Sequence, residues 1–285
     1  MAERRPGKLF RVMLIVFLAG IFFELFAIIG ILGDDRLDKG NIAVVDLRGM
    51  IGDPKPTVDS LRKFTKNKDV KAIILRVDTP GGPVGASQEI YEAVKATQKK
   101  KKVIISMGDV AASGGYYVAA PADLIVANPG TLTGSLGVIS QFINAEGLLR
   151  KLELKVETVK SGRIKDIGSP LRNMTQEERK LLQAMTDDVH EQFMEAVAQG
   201  RKLPMEKVRK LSDGRVMSGR QAKKAGLVDE LGGLEKAIEL AAKIAGIKGE
   251  PEVIYPEPEK FGWFRRLAEG KIETPALRID YRLAP

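Results

Sequence analysis

Val70–Gly82 reads VKAIILRVDTPGG. Val70–Val77 is a mostly apolar, β-branched run, and Asp78-Thr79-Pro80-Gly81-Gly82 closes it. Such a run bounded by turn residues reads as a strand buried on both faces, the kind a parallel sheet contains. Working outward, Asn41–Leu47, Val103–Met107, Leu124–Ala127 and Lys155–Val159 have the same character and read as further strands. Between them, Gln88–Thr97 carries Ile90, Tyr91 and Val94 at helical spacing, and Asn144–Leu152 reads as a short helix. A long helix follows, opened by the capping box Thr175 and Glu178 and closed at Gly200. Its stripe of Leu182, Met185, Val189, Phe193 and Val197 is a core-packing face. The alternation predicts an α/β fold with a mostly parallel sheet. No internal repeat is visible, so residues 41–247 form one catalytic-sized domain and residues 248–285 a tail. In that tail Pro251, Pro256 and Pro258 precede an aromatic-basic stretch, Phe261–Arg266. The stretch suits a membrane surface, the body of the domain or a neighbouring subunit.

Upstream of the domain, Val12–Leu32 is apolar except for Glu24. At 1.5 Å per residue it spans about 31 Å, the thickness of a bilayer's hydrocarbon core. Its Val, Leu, Ile and Phe residues favour insertion by about 4.5 to 9 kcal/mol, against roughly 3 kcal/mol opposed by one central acid. Gly33-Asp34-Asp35-Arg36 follows in place of a small-x-small cleavage site, so an uncleaved anchor over 12–32 is expected. Arg4, Arg5, Lys8 and Arg11 precede it, so residues 1–11 are expected to be cytoplasmic and the domain extracytoplasmic, joined by the polar tether 33–40.

Composition narrows the chemistry. The 285 residues contain no Cys and one His. That excludes a Cys nucleophile, an iron–sulfur cluster and any metal site needing two imidazoles, and no cofactor is implied. It leaves one imidazole for a Ser-His-Asp triad. That residue, His190, sits among Asp187, Asp188 and Glu191 on the long helix and reads as solvent-facing. The net charge of +9 raises nucleic acid, but aromatics make up only 6% and no zinc-finger or RNA-stacking motif appears. Nucleic acid is therefore not an expected partner.

Two glycine pairs stand at strand ends. In Asp78–Gly82, Pro80 fixes the chain and the glycines let bare N–H groups face a ligand, as in an oxyanion hole. In Asp109–Tyr117 (DVAASGGYY), Ser113 sits where a strand passes into a helix, the logic of a nucleophile elbow without the G-x-S-x-G pattern. Each feature also fits a plainer role, a tight turn for the glycines and a helix cap for the serine. If the serine is a nucleophile, a neutral lysine can replace the imidazole. Lys165, in Lys160–Pro170 (KSGRIKDIGSP), has Ile164 and Ile167 beside it. To be half neutral near pH 7.5, a lysine must lose about 4 kcal/mol of preference for its charged form, which burial can remove. From spacing alone, Lys165 reads better as an ordinary surface lysine than as a base.

The motifs DTPGG (Asp78–Gly82), ASGGYY (Ala112–Tyr117), TGSLGV (Thr133–Val138), SGRIKDIGSP (Ser161–Pro170) and GRVMSGRQAKKAGLVDELGG (Gly214–Gly233) follow an N-terminal anchor in this order. Together they resemble the signal peptide peptidase A family of bacterial and archaeal membrane serine proteases, over about Asn41–Ile247. The resemblance implies a Clp protease/crotonase-like βαβ spiral and no cofactor or metal. It implies Ser113 as nucleophile, Lys165 as general base and Ser135 as the hydroxyl that orients the lysine. The N–H groups of Gly82 and Gly114 would form the oxyanion hole, with Gly81 shaping the substrate loop. Many relatives carry Asn-Ser-Pro-Gly-Gly where this chain has Asp78-Thr79-Pro80-Gly81-Gly82, which changes side chains but keeps the glycines. The single-copy form of the family implies a homo-oligomeric ring in which neighbouring subunits supply Ser and Lys. Apolar peptides, including signal peptides left in the membrane, are the implied substrates. The rival readings are a crotonase-like enzyme acting on acyl-CoA, and a catalytically silent membrane scaffold.

Overall fold

The computed structural model describes residues 13, 16–22, 40–256 and 279–282. Residues 1–39 and 40–285 form separate units. In the first, 16–22 is helical with exposed side chains. Apart from this stretch and Met13, the anchor expected over 12–32 lies outside the described residues, as do 1–11 and most of the tether. Among the described residues no helix is long and apolar enough to cross a membrane.

The second unit begins β1 (Ile42–Arg48), α1 (Lys55–Lys66), β2 (Ala72–Thr79), β3 (Gly81–Pro83), α2 (Val84–Gln98) and β4 (Lys102–Ala112). It continues through α3 (Gly114–Ala119), β5 (Leu124–Ala127), β6 (Leu132–Gly134), β7 (Ile139–Ser140), α4 (Glu146–Lys151) and α5 (Gln176–Arg201). After these come α6 (Met205–Leu211), β8 (Val216–Ser218), α7 (Gly219–Ala225), β9 (Glu230–Leu231), α8 (Leu234–Ala245), β10 (Val253–Ile254) and β11 (Ile279–Arg282).

The main sheet has the order β10-β1-β2-β4-β5-β9, with every neighbour parallel. β6 pairs parallel with the far end of β4 and antiparallel with β8. β3, β11 and β7 make a separate antiparallel sheet. The parallel strands read as unbroken apolar runs because helices cover both faces. Alternate residues serve opposite sides: Ile42, Val44, Ile74 and Ile104 meet Ala237 and Ala241 of α8. Ala43, Val45, Ile73, Leu75 and Ile105 belong to the larger cluster with Leu61, Phe64, Ile90, Phe193 and Val197 of α1, α2 and α5. Burying each Val, Leu, Ile or Phe among them contributes about 1.5 to 3 kcal/mol. This is the mixed, mostly parallel α/β arrangement expected.

Three local readings change. The strand expected to end at Met107 runs on to Ala112, where β6 supplies a new parallel partner, Ala112 opposite Gly134. Lys155–Val159 is not a strand; its residues are exposed and without regular structure. A strand needs a ladder partner, and 155–159 pairs with no strand of either sheet; the main one ends at β10 and β9. The long helix does not stop at Gly200 but runs to Arg201, capped by Lys202 in the left-handed region. Gly200 is needed for a different reason: a Cβ there would lie 2.2 Å from the carbonyl oxygen of Ala120.

Candidate active site

Ser113 is the hinge between β4 and α3, with φ 55° and ψ −118°. That is an uncommon conformation for a residue with a Cβ, storing about 1 to 3 kcal/mol that its surroundings must impose. The surroundings are visible. Its N–H donates to the Gly134 carbonyl at 2.9 Å. On the other side α3 is pinned in the core. The Tyr116 hydroxyl donates to the Leu227 carbonyl at 2.8 Å, and Tyr117 packs on Tyr91 and Phe193 at 4.8 and 5.1 Å between ring centroids. Burial pushes the Tyr116 phenol well above its ordinary value and that of Tyr117 up to about 12, so both stay neutral. Ser113 is 1% exposed, its side chain caps no helix N–H, and Oγ has no hydrogen-bond partner. The plain role of a helix cap is therefore not the one it plays. A buried unpaired hydroxyl is unfavourable by about 1 to 3 kcal/mol, so strain and desolvation both converge on this one oxygen.

The glycine loop lies against α3. Gly81 has φ 105° and donates its N–H to Thr79 Oγ1 at 3.1 Å. Its carbonyl accepts from the Ile51 N–H at 2.9 Å. A Cβ on Gly82 would stand 2.2 Å from the Ile51 carbonyl oxygen, so this position admits only glycine without backbone movement. Gly114 is the first residue of α3, and its N–H has no acceptor inside the helix. Asp78 holds the elbow strand from the side, its Oδ1 accepting from the Val110 N–H at 3.1 Å.

Ser135 follows β6 directly. Because Ala112 pairs with Gly134, Ser113 and Ser135 leave adjacent strand ends together. Ser135 is also buried and in the left-handed region, φ 50°, with its N–H donating to the Arg215 carbonyl at 2.8 Å.

Lys165 stands differently. It lies in a turn-rich loop, its N–H donating to Gly162 O at 3.0 Å, and its side chain is exposed in the single chain. Ser113 Oγ, having no partner, is not hydrogen-bonded to it. The surface position that spacing favours is the one observed in the single chain, and the burial a base needs is not supplied by Ile164 and Ile167. The loop is fastened elsewhere. Arg172 Nε and Nη2 grip Asp166 at 2.8 and 2.9 Å, and Nη1 reaches Glu178 Oε2 at 2.9 Å. Glu178 in turn completes the α5 capping box with Thr175. Hydrogen bonds from Arg172 and Lys160 hold the Asp166 carboxyl far below the ordinary carboxylate range. Those from Arg172 and then the Thr175 N–H hold Glu178 at about 2. Sequence reading found the capping box but not this cluster, since no periodic pattern links 166, 172 and 178. His190, read as solvent-facing, is half-buried with Nε2 enclosed and unpaired. Among the described residues no group of three acidic or imidazole side chains could hold a metal.

A strained, buried serine beside a glycine loop at the end of parallel strands is an arrangement suited to a serine hydrolase. Comparison with known proteins agrees. The model of the family described as Clp protease matches residues 54–126, and that described as Peptidase family S49 matches residues 95–248. The Synechocystis sp. protein slr0021 is 44% identical over 211 residues, 73% of this chain and 76% of that one. The chloroplastic serine protease SPPA of Arabidopsis thaliana is 37% identical over 67% of this chain and 28% of its own length. Protease 4 of Salmonella typhi is 36% identical over 73% of this chain and 35% of its own. The chain belongs to peptidase family S49. It is a serine-type peptidase, and the acyl-CoA reading is set aside.

Proposed function

We propose that this peptidase is an endopeptidase tethered to the membrane by residues 12–32, working on the extracytoplasmic side on apolar peptides, signal peptides among them. Ser113 is its nucleophile and Lys165 its base, supplied by a neighbouring subunit of a homo-oligomeric ring. The single observation that carries the reading is Ser113: strained, enclosed and with a free Oγ at the glycine loop. The exposed Lys165 of the single chain supports a shared site, because a lysine becomes a base at neutral pH only where packing removes water.

In the proposed reaction, Lys165 Nζ takes the Oγ proton while Oγ bonds to the peptide carbonyl carbon. The N–H groups of Gly82 and Gly114 receive the oxyanion, and Ser135 orients the lysine. As the C–N bond breaks, the lysine returns the proton to the leaving amine. Water then cleaves the ester and frees a carboxylate. An extended peptide has an evident seat. β11, part of this chain's own tail, lies antiparallel between β3 and β7 with Tyr281 opposite Gly82. A substrate strand can pair there in the same way, its backbone bonds giving affinity for many sequences.

The test is hydrolysis of a fluorogenic apolar peptide, together with labelling by a serine-directed fluorophosphonate. Ser113→Ala is expected to abolish both, and Lys165→Ala to abolish turnover while the assembly remains intact. Full turnover in either variant would refute the assignment. An intact wild-type assembly with neither turnover nor label would point to the silent scaffold.

A further inference from the structure

We propose that Arg172 is a positioning residue for the reaction, setting where Lys165 is presented by clamping its loop to the first turn of α5. This rests on the reading of Lys165 as the base.

The geometry is a relay of three short links. Asp166, the residue after Lys165, is gripped by two parallel bonds from Nε and Nη2 of Arg172. Nη2 also reaches the Asp166 main-chain carbonyl at 3.4 Å, so the backbone beside the lysine is held as well as the side chain. The other edge of the guanidinium binds Glu178, whose Oε2 accepts from the Thr175 N–H at 2.9 Å while its own N–H donates to Thr175 Oγ1 at 3.2 Å. Farther along, α5 is locked into the core by Phe193 and Val197, both fully buried. The Arg172 side chain thus references the lysine loop to the rigid body of the domain.

Burial sets this clamp apart from the ordinary surface pairs. The side chains of Asp166 and Glu178 are 15% and 5% exposed. Arg163 and Glu177 also join the loop to α5, but at 71% and 53% exposed, where a pair contributes little. A planar fork serving two carboxylates at once is something only arginine can supply; a lysine ammonium keeps the charge and loses the geometry. Displacing a catalytic group by about 1 Å can lower a rate about 100-fold.

The experiment is Arg172→Lys in the full-length assembly, with Arg163→Lys as the control, read by peptide hydrolysis across pH. Arg172→Lys is expected to lower kcat about 10- to 100-fold with KM within about twofold. The acid limb of its pH profile should move to higher pH, since a loosely held lysine is better solvated and more basic. Arg163→Lys should behave as wild type. If Arg172→Lys does not assemble, Asp166→Asn, which weakens only the loop end of the clamp, is read in its place. Wild-type kcat and profile in the variant would overturn the proposal, as would failure of both variants to fold, which would make the cluster a stability element. If Ser113→Ala or Lys165→Ala remains active, the dyad itself is wrong; if only Arg172→Lys is normal, the dyad stands and this inference falls.

Discussion

Mixing two inactive proteins offers a direct check on where the site is completed. Ser113→Ala keeps Lys165, and Lys165→Ala keeps Ser113. In one chain the two side chains share no hydrogen bond: Oγ is enclosed and unpaired while the lysine is exposed. In a ring with head-to-tail contacts, each serine faces the lysine of one neighbour. Random co-assembly of the variants in equal amounts then leaves about one site in four with both groups intact. Those sites should turn over at the wild-type rate, so the mixture should recover about a quarter of wild-type kcat with an unchanged KM. The assay is fluorogenic peptide hydrolysis after the variants are dissociated together and reassembled, with each variant treated alone as the blank. Recovered activity should follow the product of the two mole fractions and peak at equal amounts. A fully reassembled mixture with no activity at any ratio would refute the shared site and require the lysine loop to swing onto Ser113 of its own chain.

Three further outcomes follow from the geometry. Ser113→Gly removes the Cβ that makes φ 55° unfavourable, so the inactive variant should be about 1 kcal/mol more stable than wild type by urea titration; equal or lower stability would mean the elbow is not strained. Removing residues 279–285 takes away the strand opposite Gly81–Pro83, and KM for an added peptide should fall while kcat stays constant; an unchanged KM would show that β11 does not compete with substrate. Glu178 is held below its ordinary 4.5 at about 2 in the folded chain, mainly by Arg172. A lowered carboxyl stabilises the fold fully above its ordinary value and loses that contribution as pH falls through the folded one. Unfolding measured from pH 5 to pH 2 should therefore show a loss of stability that is reduced in Glu178→Gln, and identical curves would sink the assignment.

The parallel strands were legible because burial on both faces writes itself into local composition: Val70–Val77 and Asn41–Leu47 are apolar whichever neighbours they meet. The elbow was legible for a similar reason, since small residues around Ser113 and paired glycines at 81–82 are local requirements of a tight backbone. Lys155–Val159 shows the limit. Its composition suits a strand, but a strand exists only where it meets a ladder partner, and among the described residues 155–159 meets none.

The alternation of β and α, the serine at the end of a strand, the glycine loop and the scarcity of imidazole that directs attention to a lysine were all readable from the residues alone. Each is set by residues close together in the chain. Tertiary structure alone decided that Ser113 is strained and its Oγ unpaired, that Ser135 leaves the neighbouring strand end beside it, that β11 lies across the glycine loop, and that Arg172 clamps the loop of Lys165. These depend on register between distant strands and on which side chains packing encloses. Neither strain nor desolvation is a property of a residue until the rest of the fold surrounds it.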